Sequence, residues 1–341
     1  MQTEPDERWL LDAARAGDQE SFRRLVEPRR AELLAHCYRM LGSVHDAEDA
    51  LQETMFRAWR GLPTFEHGRA LRPWLYRIAT NVCLDLIAKR PRRVLPIDHG
   101  PAADDIDVGP GTPLMERIWM QPYPDERLGL EDGYAAPEAR LEQRESVELA
   151  FVAALQHLPA RQRAVLILRE VLGFSAREVA EFLETTAASV NSALQRARQA
   201  VDERLPAQSQ QATLRSLGDQ QLRAVVERYI DAWENRDVDA LLALLVDDVR
   251  FAMPPFPNWF QGRDAVIAFI ASTGKPRLRH VATRANGQPA VAWYVWRPQR
   301  ERYLPSSLEV LTLEGERVKE IVAFASPELF PRFGLPAKLP R

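Results

Sequence analysis

Residues 185–198, TTAASVNSALQRAR, with residues 175–183 ahead of them, constrain this chain more than any other stretch. A helical run over 161–171 stops at Gly173. Ser175 then stands at an N-cap position, and Glu178 three residues on completes a capping box. Val179, Ala180 and Leu183 face inward, and the small Ala180 lets a second helix come close. That second helix buries Val190, Leu194, Ala197 and Val201 at helical spacing. Ser189, Asn191, Ser192, Gln195, Arg196 and Arg198 stay outside. This is the pattern of a helix-turn-helix, whose second helix meets base edges in the major groove. Asn and Gln pair bidentately with adenine, and Arg with guanine or phosphate. The competing reading is an ordinary helical hairpin with a solvated polar face. It is disfavoured because no acid occurs from Thr185 to Val201, in a region otherwise rich in Glu.

A chain of 341 residues holds about two or three domains. Its net charge of −3 excludes a general polycation, but the acid is unevenly spread. Residues 94–137 carry 2 Lys+Arg against 9 Asp+Glu, and eight prolines fall between Pro91 and Pro137. This stretch reads as an acidic, Pro-rich linker, extended or disordered. One apolar island inside it, LMERIWM at 114–120, is a candidate for docking. Cys37 and Cys83 lie in helical runs without a CxxC, so they read as reduced structural thiols of a cytoplasmic protein. The six histidines lack ligand spacing, so neither a metal nor a cofactor is expected. No apolar run is long enough to span a bilayer, and the N-terminus lacks a signal-like h-region.

Residues 8–93 alternate apolar and polar at helical spacing. Gly17-Asp18, Gly42-Ser43 and Gly61-Leu62-Pro63 divide them into four expected helices. One helix, HDAEDALQETMFRAW, turns Val44, Ala47, Leu51, Met55 and Ala58 inward and Asp46, Asp49, Gln52 and Glu53 outward. The next, RPWLYRIATNVCLDLIAK, buries Leu71, Trp74, Leu75, Ile78, Val82 and Leu86, leaving Arg77, Asn81 and Asp85 as an outward row. Trp59, Trp74 and Tyr76 are candidate stacking platforms, although Trp74 sits on the apolar stripe.

These strings, followed by LPARQRAVLILREVLGFSAREVAEFL and SVNSALQRAR, resemble an extracytoplasmic-function sigma factor of bacterial RNA polymerase. Residues 8–93 are similar to sigma region 2 and residues 138–205 to region 4. The resemblance implies two all-α domains that bind core polymerase and promoter DNA. It assigns Asp46, Asp49, Gln52 and Glu53 to the clamp helices of the β′ subunit, with the β subunit also a partner. It assigns Arg77 and Asn81 to the minus-ten element, and the loop with Thr64, Phe65, Glu66 and His67 to capture of a flipped base. Ser189, Asn191, Ser192, Gln195, Arg196 and Arg198 would read the minus-thirty-five element. The recognition helix departs from many relatives by carrying Asn191, Ala193 and Gln195 where basic residues or His are common.

After a Gln/Ser-rich second linker at 206–218 the texture changes. Helical runs at 220–235 and 238–245 precede period-2 runs at 249–253, 278–284, 290–296, 308–313 and 318–325, which is an α+β arrangement. VVERYIDAWENRDVDALLALLVDDVRFAMPP and GRDAVIAFI resemble the opening of the SnoaL-like, ketosteroid-isomerase-like cone fold, covering 219–331, with 332–341 as a tail. Trp233, Phe251, Trp259, Trp293 and Glu309 are candidates for lining a small-ligand pocket, against a plain core or interface role. Glu309 and His280 are the remaining strand candidates for a catalytic base, with Glu309 expected near a strand start and exposed. The expectation is a non-enzymatic sigma factor regulated by its own C-terminal domain. The alternatives are a ligand-responsive DNA-binding regulator and an enzyme fused to a DNA-binding module.

Overall fold

A computed structural model describes residues 7–65, 70–103, 110–114, 118–128, 145–272 and 276–340. The chain forms two compact units. One comprises residues 1–92, 127–133 and 154–204, and the other 93–126, 134–153 and 205–341.

The first unit begins with α1 (Glu7–Arg15), α2 (Gln19–Val26), α3 (Arg30–Leu41), α4 (Val44–Gly61) and α5 (Leu71–Ile87). These are five helices where four were expected, because a 3₁₀ turn with Pro28 in its first turn separates α2 from α3. Asp18 caps α2 by accepting from Ser21 N–H at 3.0 Å, and Ser43 caps α4 by accepting from Asp46 N–H at 3.2 Å. Every residue of α3 from Leu33 to Leu41 is buried, so this helix is the centre of the bundle. It carries buried His36, whose Nε2 sits 3.0 Å from Thr80 Oγ1 and whose imidazole burial pulls down to about 3, keeping it neutral. Cys37 and Cys83 are both buried free thiols.

The helix α6 (Leu149–Gln156) leads into α7 (Ala160–Leu166), which runs on as a π-helical turn, Ile167–Val171. Then come α8 (Ala176–Phe182) and α9 (Ala187–Asp202). The capping box forms: Glu178 N–H donates to Ser175 Oγ at 3.2 Å, and Ser175 N–H donates to Glu178 Oε2 at 2.7 Å. Val190, Leu194, Ala197 and Val201 are the buried residues of α9.

Within this unit Arg163 of α7 is buried and reaches α3. Its guanidinium donates to Met40 O, to Gln156 Oε1 at 2.7 Å, to Gln156 O at 3.1 Å and to Leu158 O at 3.2 Å. Gln156 Nε2 in turn donates to Arg39 O at 3.2 Å. Burial pulls the Arg163 guanidinium down to about 10, so it remains charged at neutral pH.

The second unit holds α10 (Gln210–Asn235), α11 (Val238–Leu244), β1 (Leu245–Ala252), β2 (Trp259–Gln261), α12 (Arg263–Ser272), β3 (Leu278–Ala285), β4 (Gln288–Arg297), β5 (Arg302–Glu314) and β6 (Arg317–Phe324). The six-stranded mixed sheet has the order β2-β1-β6-β5-β4-β3. The pair β1–β6 is parallel and the others are antiparallel. Val225, Tyr229, Phe251, Phe260, Phe269, Trp293, Leu311 and Ile321 share one core under the helices.

Two expected linkers are more structured than the sequence suggested. Residues 210–217 belong to α10, with Gln210, Gln211, Thr213 and Leu214 buried, and the helix bends at Gly218, whose φ of 70° suits a residue without Cβ. The acidic linker carries two short helical turns, Pro96–His99 and Asp125–Leu128, and its described residues are docked: Val94 pairs with Trp119, Ala103 N–H donates to Trp259 O at 2.8 Å, and Leu114 N–H donates to Pro255 O at 2.9 Å. Trp119 and Met120 of the apolar island are buried. The tail also docks, with Tyr303 and Leu339 exchanging backbone hydrogen bonds at 3.2 and 3.0 Å. Among the described residues no helix is long and apolar enough to cross a membrane, and no group of His, Cys, Asp and Glu has metal-binding geometry.

Arg163→Met should lower the stability of the first unit by roughly 2–4 kcal/mol, because three backbone carbonyls lose a charged donor. Thermal unfolding followed by circular dichroism measures it; an unchanged midpoint would show that Arg163 does not join α7 to α3 energetically.

Candidate polymerase and promoter surfaces

Helix α4 presents Asp49, Gln52 and Glu53 on one face. Asp49 and Glu53 keep about half of their side-chain surface, and Gln52 is exposed. Glu53 is held by Arg57 Nε at 2.7 Å, and Arg57 also reaches Asp85 Oδ2 of α5 at 3.0 Å. Asp46 departs from the expected face. It is buried at 2 % exposure and ion-paired with Arg90, because the first turn of α4 lies under the chain that leaves α5. Asp46 therefore holds the bundle together. A residue the sequence reading passed over belongs to the exposed face: Phe56 is 54 % exposed, with the Arg60 guanidinium 5.6 Å from its ring centre. Its signal was an apolar residue off the buried stripe, four positions after Gln52.

Helix α5 leaves Arg77 and Asp85 exposed and Asn81 half-buried, in one row. Thr64 is exposed, its hydroxyl donating to Gly61 O at 2.9 Å. Phe65 is buried, its ring centre 4.8 Å from that of Trp74, so it anchors the loop's start and is not offered to a base. Glu66 and His67 lie outside the described residues. Tyr76 is buried, with its hydroxyl donating to Glu32 Oε2 at 3.3 Å, and is no stacking platform. Trp59 is half-buried against Phe22, with ring centres 5.2 Å apart.

On α9, Ser189, Asn191, Ser192, Gln195, Arg196 and Arg198 are all exposed. Thr186 caps the helix, its Oγ1 accepting from Ser189 N–H at 3.2 Å. Arg198 is paired with Glu170 at 2.7 Å.

The helix-turn-helix packs directly on α5. Arg77 Nη2 lies 3.5 Å from Oε1 of Glu184, which stands in the turn before α9. Arg72 donates to Leu172 O at 3.3 Å and lies over the rings of Tyr76 and Phe174, 5.1 and 4.8 Å from their centres. Two helices that carry candidate DNA contacts are thus held together in one unit.

In the second unit the candidate pocket residues separate. Glu309 is interior at 5 % exposure, not at an open strand start, because β5 begins seven residues earlier at Arg302. It accepts from the Tyr229 hydroxyl at 2.7 Å, and burial pushes its carboxyl up to about 7 against that hydrogen bond. Trp293 acts on the Glu309 carboxyl and Trp233 on the Tyr229 hydroxyl, so both indoles lie toward this pair, yet neither Nε1 closes a hydrogen bond. Phe251 packs in the same core. Trp259 does not join them; its Nε1 donates to Gly100 O at 2.9 Å, so it receives the linker. His280 is tied to Glu234 at 2.6 Å.

A folded-state pKa raised from 4.5 to about 7 means that the folded chain holds the Glu309 proton more tightly than the unfolded one. The resulting stability is complete below pH 4.5 and is lost as pH rises through 7, by about 3 kcal/mol. Glu309→Gln should match the wild type in melting temperature at pH 5 and exceed it at pH 8. Glu148, raised to about 7 by its own burial, keeps its share of the pH dependence in the variant. Identical pH profiles for the two proteins would contradict this account of Glu309.

Comparison with known proteins agrees with the architecture. Residues 25–93 match the sigma-70 region 2 family, residues 148–201 sigma-70 region 4, and residues 226–321 the SnoaL-like domain. The chain is 44 % identical over 335 residues to the ECF RNA polymerase sigma factor SigG of Mycobacterium tuberculosis, covering 95 % of this chain and 86 % of that protein. It is 29 % identical to the RNA polymerase sigma-H factor of Pseudomonas aeruginosa, over 60 % of this chain and 96 % of that one. The crystal structure of the M. tuberculosis extracytoplasmic function sigma factor SigJ shares the fold, at a TM-score of 0.58 and 23 % identity, over 91 % of this chain and 97 % of that one. These relatives are sigma factors, not enzymes. With regions 2 and 4 and a SnoaL-like domain in that order, the chain belongs to the extracytoplasmic-function sigma factors of RNA polymerase.

Proposed function

We propose that this sigma factor rests in a closed form and that its C-terminal domain regulates its opening. The observation that carries this reading is the Arg77–Glu184 contact: the row on α5 assigned to the minus-ten element touches the turn that leads into α9. The two promoter elements lie roughly two DNA turns apart, ~70 Å. Regions 2 and 4 packed against each other do not reach both, so they separate when the promoter is read.

In the open form Asp49, Gln52 and Glu53 dock on core polymerase, with Phe56 as an apolar contact among them. Opposite charge sets the register there, and the exposed ring adds the desolvated area that charged rims lack. Thr64, Arg77 and Asn81 work at the minus-ten element, with Glu66 and His67 assigned to the same loop. Ser189, Asn191, Ser192, Gln195, Arg196 and Arg198 read the minus-thirty-five element. The Glu309–Tyr229 pair with two unpartnered indole N–H groups in an apolar core supports a small uncharged molecule as a ligand of the cone.

The deciding experiment is run-off transcription with purified core enzyme and the full chain. Initiation at specific sites that requires both components supports the reading. Tight operator binding without polymerase would favour a ligand-responsive regulator instead. Asp49→Lys combined with Glu53→Lys should weaken core binding by at least about tenfold at low salt, with a smaller effect at high salt. Fluorescence anisotropy of labelled chain against core polymerase reads this, and unchanged affinity would remove α4 from the interface.

A further inference from the structure

The hairpin between β3 and β4 closes with a two-residue loop, Asn286-Gly287, between the paired residues Ala285 and Gln288. Both loop residues have positive φ, 57° and 70°, as the tightest hairpin turns require. Asn286 is 0 % exposed, which is unusual for a turn Asn. Its side chain faces two other chain segments. Asn286 Oδ1 accepts from Tyr123 N–H at 2.8 Å, and Nδ2 donates to Val147 O at 2.7 Å. Asn286 N–H donates to Tyr123 O at 2.8 Å, and Gly287 N–H donates to Asp125 Oδ1 at 2.7 Å.

The residues around this turn extend the grip to both ends of region 4. Gln288 Oε1 accepts from the N–H of Leu149, the first residue of α6, at 3.0 Å. Glu148 accepts from the first two N–H groups of α10, those of Gln210 at 3.1 Å and Gln211 at 2.7 Å. Gln211 Nε2 donates to Gly287 O at 2.7 Å. One turn of the cone domain thus holds Tyr123 and Asp125 of the inter-region linker, Val147 and Leu149 at the start of the region 4 match, and Gln211, ten residues beyond its end.

We infer that the Asn286–Gln288 turn is a latch that sets how far regions 2 and 4 separate, and that promoter engagement by both regions opens it. The inference rests on the sigma reading above and adds a length argument to it. Residues 94–148 are 55 in number and, extended, span up to about 190 Å. The Val94–Trp119 pairing cuts one loop out of that path, and Asn286, bonded to both Tyr123 and Val147, cuts out a second. What remains is residues 92–94, 119–123 and 147–149 with two crossings, on the order of 50 Å. That is shorter than the ~70 Å between promoter elements. Opening the Asn286 end alone restores residues 124–146 to the path, 23 residues or about 80 Å when extended. Asn286 is then a positioning residue for region 4, outside both sigma regions.

The test uses the full chain with Asn286→Asp and Asn286→Gly. Both keep a residue that tolerates positive φ, so the hairpin survives, and the melting temperature of each variant checks it. Asp retains the acceptor for Tyr123 and sets a carboxylate against Val147 O; Gly removes both side-chain bonds. At limiting core polymerase both variants should raise run-off transcription about five- to thirtyfold from a promoter with both elements, the change expected for one or two lost buried hydrogen bonds. From a template lacking the minus-thirty-five element the gain should vanish, a difference that general loosening of the fold does not produce. In the wild type, binding core polymerase and promoter should expose the Leu149 amide to hydrogen exchange. Equal gains on both templates, no gain on either, or continued protection of Leu149 in the initiation complex would each overturn the latch. A wild-type chain that makes no product with core polymerase would instead count against the sigma reading, which the wild-type arm reports by itself.

Discussion

The buried side-chain amide of Asn286 is the point on which the second unit's organisation depends. A primary amide offers donors and an acceptor in one plane, and here they are divided between two segments, Tyr123 and Val147, that are 24 residues apart in sequence. Neither segment has a regular element of its own to satisfy its backbone at that point. The cone domain supplies the missing partners, with Gln288 and Gln211 doing the same for Leu149 and Gly287. A buried polar network of this kind adds little net stability when complete and costs much when broken. That asymmetry makes it favourable for the Tyr123 and Val147 segments to hold their bonds to Asn286 together, because losing one partner leaves a buried amide group unpaired.

The first unit has its own version of the same logic. Arg163 satisfies three backbone carbonyls at the join between α3 and the helices of region 4, and Arg72 lays a guanidinium between the rings of Tyr76 and Phe174. Both joins are made by arginine, whose planar fork binds several acceptors or two rings at once and stays charged when buried. The Arg77–Glu184 pair differs. Both side chains remain largely exposed at 44 % and 78 %, so it marks proximity and contributes little stability. Closure of regions 2 and 4 therefore rests on the Arg163 and Arg72 contacts, while the residues assigned to DNA lie at its edge.

What was legible in the sequence was local. The capping box Ser175/Glu178, the stripe Val190–Leu194–Ala197–Val201 and the strand periods of the cone all depend on near neighbours, and they appear in the structure. The misreadings share a non-local cause. Asp46 lies on a periodicity that looks exposed until Arg90 closes over it, 44 residues away. Phe65 looked like part of a free loop until Trp74 met it, and Trp259 looked like a pocket wall until the linker's Gly100 took its N–H. Residues 206–218 have linker composition, yet Gln210 and Gln211 are buried because their amides complete distant backbone groups. Polar residues can be interior when a partner exists, and composition does not name the partner. The Asn286-Gly287 dipeptide between two period-2 runs is a tight-hairpin signal that the sequence reading passed over; that its side chain binds two other segments is not readable from either side of the turn.

Charge on the recognition helix completes the argument for dependence on a larger assembly. Among the exposed residues of α9 assigned to DNA only Arg196 and Arg198 are basic, and Arg198 is already paired with Glu170. Binding to duplex DNA draws most of its affinity from phosphate neutralisation, with a salt slope proportional to the number of contacts. Two arginines, one of them shared with a carboxylate, supply a small part of that. In the proposed reading Asn191 and Gln195 add discrimination between bases without adding attraction at a distance. A region with this surface gains its hold on DNA when a partner brings it there; in the proposed reading, polymerase contacts on α4 supply that energy and also offset the cost of releasing the docked linker. On that reading, recognition by α9 selects among sites already within reach.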